Sequence, residues 1–287
     1  RNLDIDPDFE AEEAIRRASV VIDCTPKGVG HRNKVRYYNK FADGKKGFLA
    51  QGSEHGFGMK YARNINDEAL ENNRDQRFVQ IVSCNTHNIA ALTKTLALNG
   101  GVDTLEEGRF VCVRRASDIS QAGSFVPAPE VGKHSSPSHG THHARDAVEL
   151  FQTIDYRPNL YSSAMKINSQ YMHVIWYNIR LKERVTVQDV IDRFDANPMV
   201  ALTERTTSSS VFSFGRDHGH YGRILNQTVV VVPSLAVHND REVVGFCFTP
   251  QDGNSLLSSI AATEFFLHPH SWDDKIQCLS HLFFTEV

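Results

Sequence analysis

Charge of one sign, long apolar runs and paired cysteines are all scarce in this sequence, and each scarcity closes off a class of function. The 31 lysines and arginines nearly balance 34 aspartates and glutamates, leaving a formal charge of −3. Holding the phosphates of a nucleic acid needs a surplus of cations, so nucleic acid is not expected as a main partner. No window of about 18 apolar residues occurs, so no segment reads as a membrane span and no membrane partner is expected. The five cysteines (Cys24, Cys84, Cys112, Cys247, Cys278) are odd in number, widely spaced and lack a C-x-x-C. That argues against a disulfide framework or a zinc ribbon and for a reducing, cytoplasmic setting. A signal peptide is lacking too, and the chain opens on Arg1 instead of methionine, already inside a helical pattern, so residues upstream of Arg1 are expected.

What is present suits a globular chain: 287 residues, 40% hydrophobic, enough for one large or two ordinary domains. "FEAEEAIRRA" reads as a helix, "SVVIDCT" as a strand buried on both faces, and "PKGVG" as a turn. "HRNKVRYYNKFADG" reads as a helix closed by Gly44, followed by strands "KGFLAQGSE" and "RFVQIVS". Strands alternating with helices make a parallel α/β sheet. After about residue 108 the style changes to longer strand candidates, "RFVCVRRAS", "SSAMKINSQYMHVIWYNIRLK", "NQTVVVVPSLAV" and "REVVGFCFT". The last two meet at a polar "HNDR" tip that reads as a hairpin, which suggests a mainly antiparallel sheet. In "TVQDVIDRFDAN", Thr186 and Asp189 form a capping box, and Val187, Val190, Ile191 and Phe194 make one apolar face. No internal repeat occurs; "VPAPEVGKHSSPSHGTHH" is a Pro/Ser/His-rich loop.

"SCNTHNIAAL" places one thiol between an apolar strand and a helix. Ser83 or Asn85 can cap that helix, Ile89, Leu92 and Leu96 form its apolar stripe, and Asn99-Gly100-Gly101 ends it. Cys84 therefore falls on the first turn. There the unpaired amides and the positive end of the helix dipole favour a thiolate, and they can hold the oxyanion formed when sulfur attacks a carbonyl. Cysteine is also among the residue types most often buried, so this stretch alone leaves a structural thiol equally open. Cys24, Cys112 and Cys247, inside apolar runs, suit that structural role better.

The blocks "VIDCTPKGVG", "SCNT", "RRAS", "HHARD", "YMHV" and "VQDVIDRF" follow one another as similar blocks do in archaeal-type glyceraldehyde-3-phosphate dehydrogenases. The sequence resembles that family from about residue 14 to residue 196, and more weakly beyond. The resemblance implies an incomplete Rossmann-type parallel sheet (residues 1–83), a catalytic domain with a mainly antiparallel sheet (84–264), and a C-terminal helix (265–287) returning to the first. It implies oxidation of an aldehyde phosphate with NAD or NADP, use of inorganic phosphate, and a homotetramer. Cys84 would form a hemithioacetal and then a thioester that phosphate cleaves, dividing one hard step into two easier ones. Arg115 matches the phosphate-binding member of an arginine pair, its planar fork suiting phosphate oxygens, with Arg114 the weaker candidate. His142 and His143 match a His-His pair near a phosphate site, and Thr86 could offer a hydroxyl there or simply cap the helix. Thr25, Pro26 and Gly28, with Asn85, would lie on the cofactor side. A zinc ion in the His-rich loop is the lesser reading, since ligand spacing is irregular, and no metal is expected.

The sequence departs from the family pattern in two respects. Where the family has Met-His-x-His, its second histidine the general base, this chain has Ile175. His173 is the remaining candidate catalytic histidine; it shares a strand face with position 175 but sits about 6.6 Å away. A positioned base contributes about 10²–10⁴-fold, so a slow or inactive enzyme stays open. The G-x-G-x-x-G turn that seats a pyrophosphate is also missing, "GVGHRN" at 28–33 having two glycines and falling nearer the nicotinamide end. Two further functions therefore stand beside the dehydrogenase: a catalytically inactive relative acting as a binding or scaffold protein, and a semialdehyde or acyl-phosphate dehydrogenase of the same architecture.

Overall fold

The computed structural model describes every residue except 1–5, 7, 43, 45, 53, 99–100, 118–124 and 251. The elements run α1 (Ala11–Arg17), β1 (Val20–Asp23), α2 (Val29–Arg36), β2 (Gly47–Gln51), β3 (Met59–Tyr61), α3 (Asp67–Asn72), β4 (Phe78–Ile81) and α4 (Cys84–Ala97). They continue with β5 (Leu105–Arg114), β6 (Glu130–Val131), α5 (His142–Gln152), β7 (Leu160–Lys166), β8 (His173–Leu181), α6 (Val187–Asp195), β9 (Val200–Thr203) and α7 (Ser208–His218). The last are β10 (Thr228–Val231), β11 (Ala236–His238), β12 (Glu242–Thr249), α8 (Gly253–Leu267) and α9 (Trp272–Ile276).

The strands form a parallel sheet in the order β1-β2-β4-β3 and a mixed, mostly antiparallel sheet in the order β6-β7-β5-β8-β12-β10-β9, with β11 on β12. This is the Rossmann-like α/β sheet plus catalytic sheet that the sequence predicts. Two pairs of the second sheet, β5 with β7 and β9 with β10, are parallel. Each is joined through a helix, α5 or α7, which is what a parallel connection requires.

Several local expectations change. The long candidate "SSAMKINSQYMHVIWYNIRLK" is two strands, broken where Met172 takes a left-handed φ of 48°. "NQTVVVVPSLAV" is likewise broken by a 3-10 turn at Val232–Ser234, where Pro233 has no N–H to give the ladder. The helix beginning at Val29 ends at Arg36 and passes through a 3-10 turn at Tyr38–Phe41, so Gly44 does not close it. β1 is an outer strand of the described sheet, with Ile22 46% exposed, and is not buried on both faces. The hairpin forms as read: β11 pairs with β12 and Asn239 and Asp240 turn with φ of 52° and 59°. The Thr186–Asp189 capping box is present as well.

The largest core lies between the mixed sheet and α4, α5 and α6, where Ile89, Leu92, Val148 and Phe194 meet Phe110, Ile175, Tyr177 and Ile179. Each such side chain contributes about 1.5–3 kcal/mol on full burial. On one face of the parallel sheet, Leu49, Val79 and Ile81 pack against Leu257, Ala261 and Phe265 of α8 and Trp272 and Ile276 of α9. α8 spans the expected boundary at 265, so the return to the first sheet starts near Gly253. The other face carries the stacked rings of Tyr38, Phe48 and Phe78. α4 lies at the seam, and instead of one apolar stripe it is buried nearly all round, from Asn85 to Thr93. Of its expected stop signal, Asn99 and Gly100 lie outside the described residues, while Gly101 has a φ of 81°.

Candidate active site

β4 leads straight into the site. Ser83 is extended, with φ −66° and ψ 157°, and its Oγ accepts the Thr86 N–H at 3.3 Å, so Ser83 rather than Asn85 is the cap. Cys84 is then the first helical residue and is partly exposed, while Cys112 and Cys247 are buried and Cys24 and Cys278 exposed. Burial pushes the Cys112 and Cys247 thiols up, the latter to about 12. Burial, then the Asp23 carboxylate, raises Cys24 as well. From the far side, Asn254 donates to the Cys84 carbonyl at 3.1 Å, holding α8 against this first turn.

The second wall is the start of α5. Gly140 has a φ of 69°, and a Cβ there would lie 2.1 Å from the Ser162 carbonyl, so only glycine brings this chain so close to β7. Ser162 Oγ then accepts the Ala144 N–H at 3.0 Å and meets the Thr141 hydroxyl at 2.6 Å. His143 Nδ1 lies 3.0 Å from the Thr141 hydroxyl, and the His142 and His143 rings stack 4.0 Å apart. Thr86 joins the two helices, donating to the His143 carbonyl at 3.5 Å. Burial drives His143 well below the ordinary histidine range, helped by His142, Arg114 and His173. Burial lowers His142 too; Asp146 opposes this, and the nearby charges of Lys27, Arg114 and Arg145 add to it. These helix starts therefore face an electropositive space. The rest of the His-rich loop is engaged elsewhere, His134 with Ser163 and Tyr161, His139 with the Leu160 carbonyl.

The third wall comes from the ends of β5, β8 and β12. Arg115 is buried, its Nε donating to the Ser117 carbonyl at 3.1 Å and its Nη2 3.9 Å from the Asp252 carboxylate. The Arg115 backbone N–H donates to His173 Nδ1 at 3.0 Å. An amide can only donate, so Nδ1 carries the lone pair and the neutral ring carries its hydrogen on Nε2. Burial, then Arg115 and Arg114, lowers His173 to about 3. His173 pairs with Thr249, whose hydroxyl donates to Asn85 at 3.2 Å, so His173 sits level with the first turn of α4. Ile175 lies deeper, with no exposed surface, between Cys112 and Cys247 in the ladder. Cys247 in turn donates to Asn88, one turn further into α4.

The turn after β1 forms the fourth side. Two buried carboxylates grip it. Asp23 accepts from the Thr25 N–H and hydroxyl, from Asn33 at 2.9 Å and from Tyr38 at 2.7 Å. Although its burial opposes the charge, these donors hold its carboxyl below the usual range. Glu54 accepts the N–H groups of Gly28 and His31, closing the first turn of α2. That helix start is thus filled by a side chain and does not offer its amides to a pyrophosphate. Thr25, Pro26 and Gly28 instead form a rigid lip at the carboxyl end of the parallel sheet, where open α/β sheets take ligands, and Lys27 comes within electrostatic reach of His142.

Separately, His55, Asp146 and Glu149 place ligand-type atoms within 4.8 Å of one another. The buried Lys60 ammonium already sits 3.4 Å from Asp146 and 3.3 Å from Glu149. Sequence reasoning missed Asp23, Glu54, Lys27 and Thr249; a charged residue ending a strand was the visible signal for Asp23, and nothing local marks the others.

No family model matches this chain. Curated relatives do. Glyceraldehyde-3-phosphate dehydrogenase of Methanobacterium bryantii is 26% identical over 257 residues, 82% of this chain and 70% of that protein. The Metallosphaera sedula protein of the same name is 28% identical over 240 residues, 80% of this chain and 64% of its own. Glyceraldehyde-3-phosphate dehydrogenase 1 of Methanosarcina barkeri is 30% identical over 214 residues, 72% of this chain and 57% of its own. The chain thus spans between 57% and 70% of the length of these relatives. These archaeal relatives, 26–30% identical over 72–82% of this chain, support placing it in the archaeal-type glyceraldehyde-3-phosphate dehydrogenase family.

Proposed function

We propose that this chain carries the catalytic part of an NAD- or NADP-dependent phosphorylating aldehyde dehydrogenase acting on an aldehyde phosphate through a Cys84 thioester. The observation that carries the reading is Cys84 on the first turn of α4, the turn whose Thr86 bonds the His143 carbonyl at the start of α5. The helix dipole favours the thiolate, and the first-turn amides face the oxygen that becomes negative when sulfur attacks the carbonyl. Arg115, His142 and His143 suit the phosphate groups of substrate and of inorganic phosphate, whereas the buried Thr86 hydroxyl is already given to the His143 carbonyl. Thr25, Pro26 and Gly28, with Asn85, shape the nicotinamide end of the cofactor site. A bound nicotinamide dinucleotide supplies the hydride acceptor. The functional assembly is a homotetramer in this reading, and its setting the cytoplasm.

An inactive relative acting as a binding protein is favoured by one observation, the burial of Ile175 where the family's base would stand. Reduction of NAD or NADP with glyceraldehyde 3-phosphate and inorganic phosphate separates the two, with Cys84→Ser as control. Turnover lost in the variant supports the enzyme. No turnover, with Cys84 alkylated by iodoacetamide no faster than the exposed Cys278, would sink it.

A further inference from the structure

His173 stands where a base is expected, yet its hydrogen bonds describe a donor. Its Nδ1 is taken by the Arg115 amide at 3.0 Å, so no lone pair is left to receive a proton. Its Nε2–H makes no hydrogen bond among the described residues. The side chain lies on the face of β8 that carries Ile175 and Tyr177 toward α4, and the Thr249–Asn85 bond fixes its level at the first turn of that helix. Burial, with Arg114 and Arg115 nearby, disfavours a positive charge on this ring.

Building on the thioester reading above, we propose that His173 acts as a fixed hydrogen-bond donor to the oxyanion formed on Cys84, through Nε2–H, and not as a general base. When the Cys84 thiolate attacks an aldehyde carbon, a carbon–sulfur bond forms and the carbonyl π pair moves to oxygen. The resulting alkoxide is held by Nε2–H and the first-turn amides of α4, and the proton stays on His173. An oxidised nicotinamide dinucleotide, when bound, would supply the acceptor for the hydride of that carbon, and the oxygen pair would then re-form the carbonyl and leave a thioester. An alkoxide that is never protonated needs no base to lose its proton. The arrangement therefore accounts for a chain with isoleucine at 175.

Acetyl phosphate tests this without cofactor: its carbonyl takes the Cys84 thiolate through the same oxyanion, expels inorganic phosphate and leaves an acetyl thioester that intact mass detects. In His173→Gln an amide N–H replaces Nε2–H, whereas in His173→Asn the side-chain oxygen keeps the Arg115 amide satisfied and the donor is lost. Iodoacetamide, whose reaction forms no oxyanion, reports on the thiol and its surroundings. The expected result is acetylation slowed roughly 10²-fold in His173→Asn and less than about tenfold in His173→Gln, with alkylation unchanged in both. Equal losses of acetylation in the two variants would overturn the donor role, as would a parallel fall in alkylation, which marks a structural residue. A wild-type chain whose Cys84 is not acetylated would overturn the thioester reading itself.

Discussion

The Nε2 of His87, on the first turn of α4, lies 2.8 Å from the Ser258 hydroxyl of α8. The other ring nitrogen is 3.0 Å from the Ser83 carbonyl and must be the one that donates. Ser258 therefore gives its hydrogen to the ring, and its oxygen accepts the Arg63 N–H at 3.0 Å. One relay thus connects the end of β3 to the cap of the helix that begins at Cys84.

Removing the ring leaves a buried void and strands the Ser83 carbonyl and the Ser258 hydroxyl. His87→Ala is expected to cost about 2–4 kcal/mol, read as a fall in the urea midpoint. A midpoint within error of the parent would show that the relay contributes nothing.

The same ring makes stability depend on pH. Burial lowers His87 to about 4, and His173 falls to about 3. Unfolded histidines titrate at about 6.5, so between that pH and about 4 the unfolded chain binds more protons than the folded one. The contribution is whole above about pH 6.5 and is lost as pH falls, by up to about 1.4 kcal/mol per pH unit for each histidine. Thermal denaturation from pH 7.5 to 4.5 should show this decline, and His87→Gln should make it shallower. Equal slopes in the two proteins would contradict the burial of a neutral His87.

Lys60 and Asp146 form a buried pair joining β3 to α5, with side chains 6% and 2% exposed. Lys60→Met leaves Asp146, among the described residues, with the Arg145 guanidinium 3.1 Å away, and should cost about 2–4 kcal/mol. Adding Asp146→Leu should restore part of that loss. A double variant as unstable as the sum of the single ones would rule out coupling between the two charges.

Ile175 has carbon, sulfur and backbone around it. Placing a histidine there buries a polar ring beside Cys112 and Cys247, so Ile175→His should cost about 1–3 kcal/mol and lower the melting temperature. An unchanged melting temperature would mean that the core still accepts the family's base, and the reading of position 175 as purely apolar would be wrong.

The sequence alone specified whatever depends on neighbours a few residues apart. Ser83 caps the helix three residues later, Thr186 and Asp189 close on each other, and Asn239-Asp240 turn a hairpin, because each uses side-chain and backbone groups that meet in any chain with that order. The alternation of strands and helices, and the thiol at the mouth of α4, were legible for the same reason. Packing decided the rest. The Arg115 amide reaches His173 across 58 positions, Thr249 reaches Asn85 across 164, and Ser258 reaches His87 across 171. No local pattern encodes these meetings, since strand register and helix placement are set by burying the two cores together. That is why a histidine identified from sequence as a base candidate turns out, once its strand is seated against β5, to have its lone pair already taken.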